Sequence, residues 1–267
     1  MNKIDRIGLQ LYTVRTEMER DFEGTLEKVA AIGYKEVEFA GYFEQTPKDV
    51  RTMLERYGLT APSAMVDYQS LESTWLEVVE TAQVLGHKYL VIGMIDPNLL
   101  GEPNIWERAA DIFNRAGEIS KKAGIQFAYH NHYWEFSPVN GKMPYDLLLE
   151  LCDPDLVKME IDFCWIAAIE QDPLIYFRRY PGRFPLAHVK QLKEHSVRMP
   201  GDGASSILYE QTLPNITEIG EGVIDWKQIF SQSAPAEIQH FFVEHDAPQS
   251  PFESIQTSYD YLAKLQF

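Results

Sequence analysis

Ile7-Gly8-Leu9-Gln10-Leu11-Tyr12-Thr13 is the first apolar run of the chain, and it decides between two ways of arranging a parallel sheet. The run passes straight into amide and hydroxyl side chains and meets no glycine-rich turn. A doubly wound open sheet that grips a nucleotide carries such a turn after its first strand, because backbone N–H groups must approach a phosphate there. Without that turn the open sheet loses its main support, and a closed barrel is the expected solution.

The rest of the chain follows the same rhythm. Further short apolar runs occupy 36–40, 61–66, 89–93, 126–130, 157–162, 186–190 and 241–244, and with 7–12 they make eight. Several are β-branched or aromatic, and most follow a turn signal such as Ile32-Gly33, Tyr57-Gly58 or Ala123-Gly124. Helical stretches are expected between them at 22–32, 47–57, 71–85, 106–123, 145–152, 173–180, 225–232 and 251–265. The first has apolar residues at Phe22, Leu26, Val29 and Ala30, with Gly33 placed to end it. The second begins with Pro47 after Thr46 and stops before Gly58. Eight β-then-α units with no break in composition predict one (β/α)8 TIM barrel over residues 1–267. The only long irregular stretch is 195–222, which contains Pro200-Gly201-Asp202-Gly203. A loop of that length after the seventh strand is expected to be functional or mobile.

Composition narrows the partners. The chain has 267 residues, 40 of them acidic against 24 basic, for a net charge of −16. Such a surface repels phosphate backbones and anionic bilayers, so neither nucleic acid nor membrane is an expected partner. No apolar run is long enough for a secretory signal or a membrane span. Cys152 and Cys164 fit no metal-binding pair and no disulfide framework. Reduced, buried thiols in a cytoplasmic protein are the expectation.

In a βα barrel the reactive groups stand at the carboxyl ends of the strands. Tyr129-His130-Asn131-His132, Met159-Glu160-Ile161-Asp162, His188-Val189-Lys190 and Glu244-His245-Asp246 end the last four. Strand alternation puts His130 with His132, Glu160 with Asp162, and His188 with Lys190 on shared faces. Unpaired charge at a barrel mouth is costly, so these groups must satisfy one another or hold an ion. Oxygen and imidazole donors without thiolate suit manganese, cobalt, iron(II), magnesium or zinc. His87, His195 and His240 read as surface or loop residues, and His245 as turned from the mouth.

Tyr129-His130-Asn131-His132, Met159-Glu160-Ile161-Asp162 and His188-Val189-Lys190, with Glu218-Ile219-Gly220-Glu221-Gly222-Val223-Ile224-Asp225 and Ile7-Gly8-Leu9-Gln10-Leu11-Tyr12, resemble the xylose-isomerase-like sugar phosphate isomerase/epimerase superfamily over nearly the whole chain. The resemblance implies a divalent-metal site with one ligand from each of strands five to eight. Matched position by position, Asp162, His188 and Glu244 take the last three places. On strand five the ketose epimerases carry glutamate, whereas this chain has His130. That departure puts a symmetric two-glutamate mechanism in doubt. It resembles the branch with inosose dehydratase and enzymes acting on 3-keto-glycosides. His130 there either ligates the metal or acts beside it, oriented by Glu160; ligation is the reading carried forward.

The chemistry implied is removal of a proton from a carbon next to a carbonyl, with the enediolate stabilised by the cation. Glu244 is the leading base, Glu135 the second acid–base candidate, and Lys190 a stabiliser of an oxyanion or donor to a leaving hydroxyl. The alternative for Lys190 is a salt bridge to Glu160 or Glu38. Tyr12, Trp134 and Trp165 are candidate sugar platforms, and Gln10, Glu38 and His132 candidate hydrogen-bonding groups. Acidic Glu221 and Asp225 beside the Gly220–Gly222 loop argue against a phosphate ester. The leading expectation is an isomerase or epimerase of a ketose or keto-sugar. A lyase on a keto-inositol or 3-keto-glycoside is the alternative. A metal-dependent endonuclease conflicts with the acidic charge, and a catalytically inert sugar-binding barrel differs only in lacking turnover. Barrels of this type often pair, which leaves a homodimer open.

Overall fold

The computed structural model describes residues 2–4, 6–194, 210 and 212–267. Eight strands close a parallel barrel: β1 (Gly8–Gln10), β2 (Glu36–Phe39), β3 (Thr60–Val66), β4 (Tyr89–Ile92), β5 (Gln126–His130), β6 (Val157–Asp162), β7 (Leu186–Val189) and, last in the chain, β10 (His240–Val243). The order around the barrel is β1-β10-β7-β6-β5-β4-β3-β2. Every neighbouring pair is parallel, from β1 with β2 through β10 with β1. Residues 195–209 and 211, which hold most of the expected long loop and His195, lie outside the described residues.

Local signals set the helix ends. Asp21 accepts a hydrogen bond from Gly24 N at the start of the helix Phe22–Ile32. Thr46 does the same from Asp49 N before Pro47–Tyr57, and Gly58 ends that helix in the left-handed conformation. The expected helix 71–85 is two, Ser70–Ser73 and Trp75–Leu85, broken at Thr74. Short helices at Arg15–Arg20 and Phe163–Ala168 were not foreseen, nor was the antiparallel pair β8 (Gln191–Leu192) with β9 (Ile216–Thr217). Elements this short leave no readable period.

Inside the barrel a polar layer lies over an apolar one. Val91, Ala128, Leu186 and Phe242 form a buried plug with Tyr89. Gly8 makes room for it, since a side chain there would meet the Phe242 ring at 2.5 Å. Below the plug, Glu36 is paired with His240 Nδ1 at 2.7 Å. His240 therefore serves the barrel floor and is not a surface residue. His87 is also buried, with Nδ1 2.6 Å from Ala61 O and Nε2 2.9 Å from the Tyr42 hydroxyl.

The Gly220–Gly222 loop has a packing role. A side chain at Gly222 would meet Leu192 O at 1.8 Å, and Val223 N donates to that same oxygen at 2.9 Å. The glycine lets the loop lie against β8. Both cysteines are free and buried. No helix among the described residues is long and apolar enough to cross a membrane.

Candidate metal centre and active site

Register brings the site together. His130 is the cross-strand partner of Glu160, Asp162 of His188, and Gln10 of Glu38. Asp162 ends β6 and also starts the next helix, its Oδ1 accepting from Cys164 N at 2.8 Å and Trp165 N at 3.1 Å. Those two bonds fix the carboxylate and leave Oδ2 for the barrel axis.

His130, Asp162 and His188 offer ligand atoms that all lie within 4.8 Å of one another. His130 Nε2 is 3.8 Å and His188 Nδ1 4.0 Å from Asp162 Oδ2. Ligands each about 2.0–2.1 Å from one ion stand at most about twice that apart, so these two spacings admit a cation. The donor set fits as well: buried carboxyls from Glu38, Glu160, Asp162, Glu244 and Asp246 outnumber the nearby cations. Neither oxygen of Glu160 makes a hydrogen bond of ordinary geometry, although His130 Nδ1 and His188 Nε2 each stand 3.2 Å from Oε2. A divalent ion is the kind of charge that would balance this cluster.

Glu244 is outside that triad but touches it. Its Oε2 lies 2.9 Å from His188 Nδ1 and 2.7 Å from Lys190 Nζ. Lys190 also reaches Asp162 Oδ2 at 3.0 Å and Asp246 Oδ2 at 2.9 Å. Its partners are thus these carboxylates and not Glu160 or Glu38, the alternative read from the sequence, because Lys190 lies just past the end of β7, one layer above them. Behind His188, Glu38 Oε2 stands 2.7 Å from Nε2. Glu38 in turn accepts from Gln10 Nε2 at 2.7 Å and from the Ser63 hydroxyl.

Electrostatics follow from this packing. Burial opposes the charge of Lys190, but Asp162, Asp246 and Glu244 outweigh it and hold the ammonium well above its ordinary pKa. Burial likewise opposes charge on His188, and Glu160 and Glu244 reverse the direction upward. Burial works against the Glu244 carboxylate, yet Lys190 and His188 hold it well below the usual range. Burial, then repulsion from His188, pushes His130 well down and keeps it neutral. Burial, with Glu38 adding to it, pushes Glu160 up to about 8 against the pull of His188.

A cavity of about 710 Å³ opens above the cluster, and His130, His132, Lys190, Glu244, Asp246 and Tyr12 reach it. Gln10, Glu38 and Trp165 were expected at the substrate and do not line it. Gln10 and Glu38 are fully buried beneath the mouth and bonded to each other. Trp165 is fully buried, stacked near His132, with Lys190 Nζ 5.0 Å from its ring centre. Trp134 stacks on His132 at 4.3 Å and is equally a packing residue.

Glu135 is a further correction. It is neither a solvent carboxylate nor a cavity residue, for it is fully buried. It accepts from the Tyr129 hydroxyl and from His132 N at 2.9 Å. Burial pushes it up to about 7. Its observed work is to pin the turn after β5, and this geometry gives no support to an acid–base role. Asp246 is the residue that sequence reading passed over. Alternation with Glu244 was the available signal.

The chain matches the family described as xylose isomerase-like TIM barrel over residues 26–265. An inosose dehydratase of Lacticaseibacillus casei is 25% identical, covering 91% of this chain and 89% of that protein. A crystal structure of a sugar phosphate isomerase/epimerase from Parabacteroides distasonis superposes with TM-score 0.78 at 25% identity, covering 97% of this chain and 98% of the other. The IOLI protein, solved with a bound zinc atom, superposes with TM-score 0.71 at 14% identity over 96% of this chain and 95% of its own.

Proposed function

Because the chain belongs to the xylose isomerase-like TIM-barrel family, we propose that it is a divalent-metal-dependent lyase that removes water from a ring ketone bearing several hydroxyls. The observation that carries the reading is the 2.7 Å contact between Lys190 Nζ and Glu244 Oε2 on the cavity wall. It sets a proton acceptor beside a proton donor, which is what an elimination uses.

A cation held by His130, Asp162, His188 and Glu244 would supply Lewis acidity toward the oxygen of the developing enediolate. The rest falls to the chain's own groups. The Glu244 carboxylate takes the proton from the carbon next to the carbonyl. The electron pair left on that carbon forms the new double bond as the neighbouring C–O bond breaks. The departing hydroxide takes a proton from the Lys190 ammonium and leaves as water. Glu244 then returns its proton to Lys190 across their contact, restoring both groups. Neutral His132 and the exposed face of Tyr12 line the space for the ring.

Support for elimination comes from the casei relative, an inosose dehydratase, and from His130 standing where a two-carboxylate epimerase carries its second glutamate. The zinc in the IOLI structure supports a metal. A second reading, isomerase or epimerase of a ketose, shares the first step and is favoured by the distasonis relative. Incubation of metal-loaded protein with a keto-inositol in D2O separates them. Elimination gives an enone absorbance and loss of water. Isomerisation gives deuterium in a product of unchanged composition.

A further inference from the structure

The cavity is much larger than one six-membered ring. At about 710 Å³ it falls in the range that holds drug-sized ligands. The polar cluster accounts for only one end. The other end runs under the loops after β2, β3 and β4, where Tyr42, Met65, Tyr68 and Met94 line it. Gly41 and Gly93 line it with bare backbone, and a side chain at Gly41 would meet no atom within 4 Å.

Charge in this outer lobe is one-sided. Asp67, Glu77 and Asp96 line it, and Lys190 is the only lysine or arginine among the described residues around the whole cavity. That ammonium is already shared among three carboxylates. Among the described residues a phosphoryl or carboxylate group would find no free cation here and would meet like charge. Tyrosine rings and methionine thioethers instead offer adaptable contact to an aromatic face.

We propose that the outer lobe is a substrate subsite for an uncharged aromatic aglycone joined to the reacting ring. The inference rests on the proposed function, since it takes the polar end as the seat of that ring.

The test is calorimetric titration of metal-loaded protein with glucose, phenyl β-glucoside and glucose 6-phosphate. These probes lack the ring ketone and bind without turnover. Phenyl glucoside is expected to bind about tenfold tighter than glucose, the gain of an aromatic contact. Glucose 6-phosphate is expected to bind no tighter than glucose. Met94 is 39% exposed, so Met94→Trp can fill the lobe without disturbing the core. It should erase the phenyl advantage and leave glucose affinity unchanged, and Met94→Ser should reduce that advantage if the tryptophan variant folds poorly. Equal affinity for glucose and phenyl glucoside, a phosphate ester that binds tightest, or an advantage that survives Met94→Trp would overturn the subsite while leaving the proposed function in place. Failure of all three to bind would likewise overturn the subsite, and turnover of a keto-inositol decides the proposed function separately.

Discussion

His188 carries Glu244 on one ring nitrogen and Glu38 on the other, at 2.9 and 2.7 Å. The Glu38 contact faces away from Asp162 and the cavity, so it orients the ring and commits Nδ1 to the cluster. Such partners raise the basicity of a ligating imidazole. Glu38→Ala is expected to weaken metal binding by about 10–100-fold. Competition with a fluorescent chelator measures this directly. Unchanged metal affinity would leave Glu38 with a packing role only.

Lys190 divides the proposed reaction into two halves. Lys190→Met should leave proton abstraction by Glu244 in place while removing the donor to the departing hydroxide. Enone formation is expected to fall by about 10²-fold or more, with deuterium exchange next to the carbonyl persisting. Both signals are read from one NMR time course in D2O. Equal loss of both would place Lys190 in holding the cluster together and not in proton donation.

The exchange signal itself depends on Glu244. Glu244→Gln keeps the shape but cannot accept the proton, so exchange should fall to background and metal should be retained less tightly. Exchange at the parent rate in that variant would assign the base elsewhere.

Glu135 gives a pH signature independent of the metal. Its carboxyl is pushed from 4.5 up to about 7 by burial. Between those values the folded chain keeps a proton that the unfolded chain has lost, so stability declines as pH rises through the window. The contribution is fully present below about 4.5 and lost above about 7, on the order of 3 kcal/mol in all. Glu135→Gln should flatten the slope of Tm against pH across that range. Any cost of its amide facing the His132 N–H adds an offset that does not vary with pH. Parallel slopes for parent and variant would contradict the assignment.

The barrel was legible because most strands follow turn residues and several helices start at a capping side chain. The ranges 126–130, 157–162, 22–32 and 47–57 match the structure residue for residue. Strand alternation also placed His130 with His132, and Glu160 with Asp162, on shared inward faces. Depth along the barrel axis was not legible. Gln10 and Glu38 sit one layer below the cavity, and only the register between strands tells that layer from the one above. Trp165 and Glu135 turn inward because the chain folds back after β6 and β5, through helical turns too short to announce themselves. His240 looked exposed because its partner Glu36 is distant in sequence and meets it only when the barrel closes.

Anomalous diffraction from crystals of the protein soaked in manganese addresses the central assignment most directly. The account predicts one strong peak within coordination distance of His130, Asp162 and His188, with Glu244 completing the set, and loss of that peak in Asp162→Ala. A cluster that stays free of manganese at saturating concentration, or a peak bound elsewhere on the chain, would contradict it.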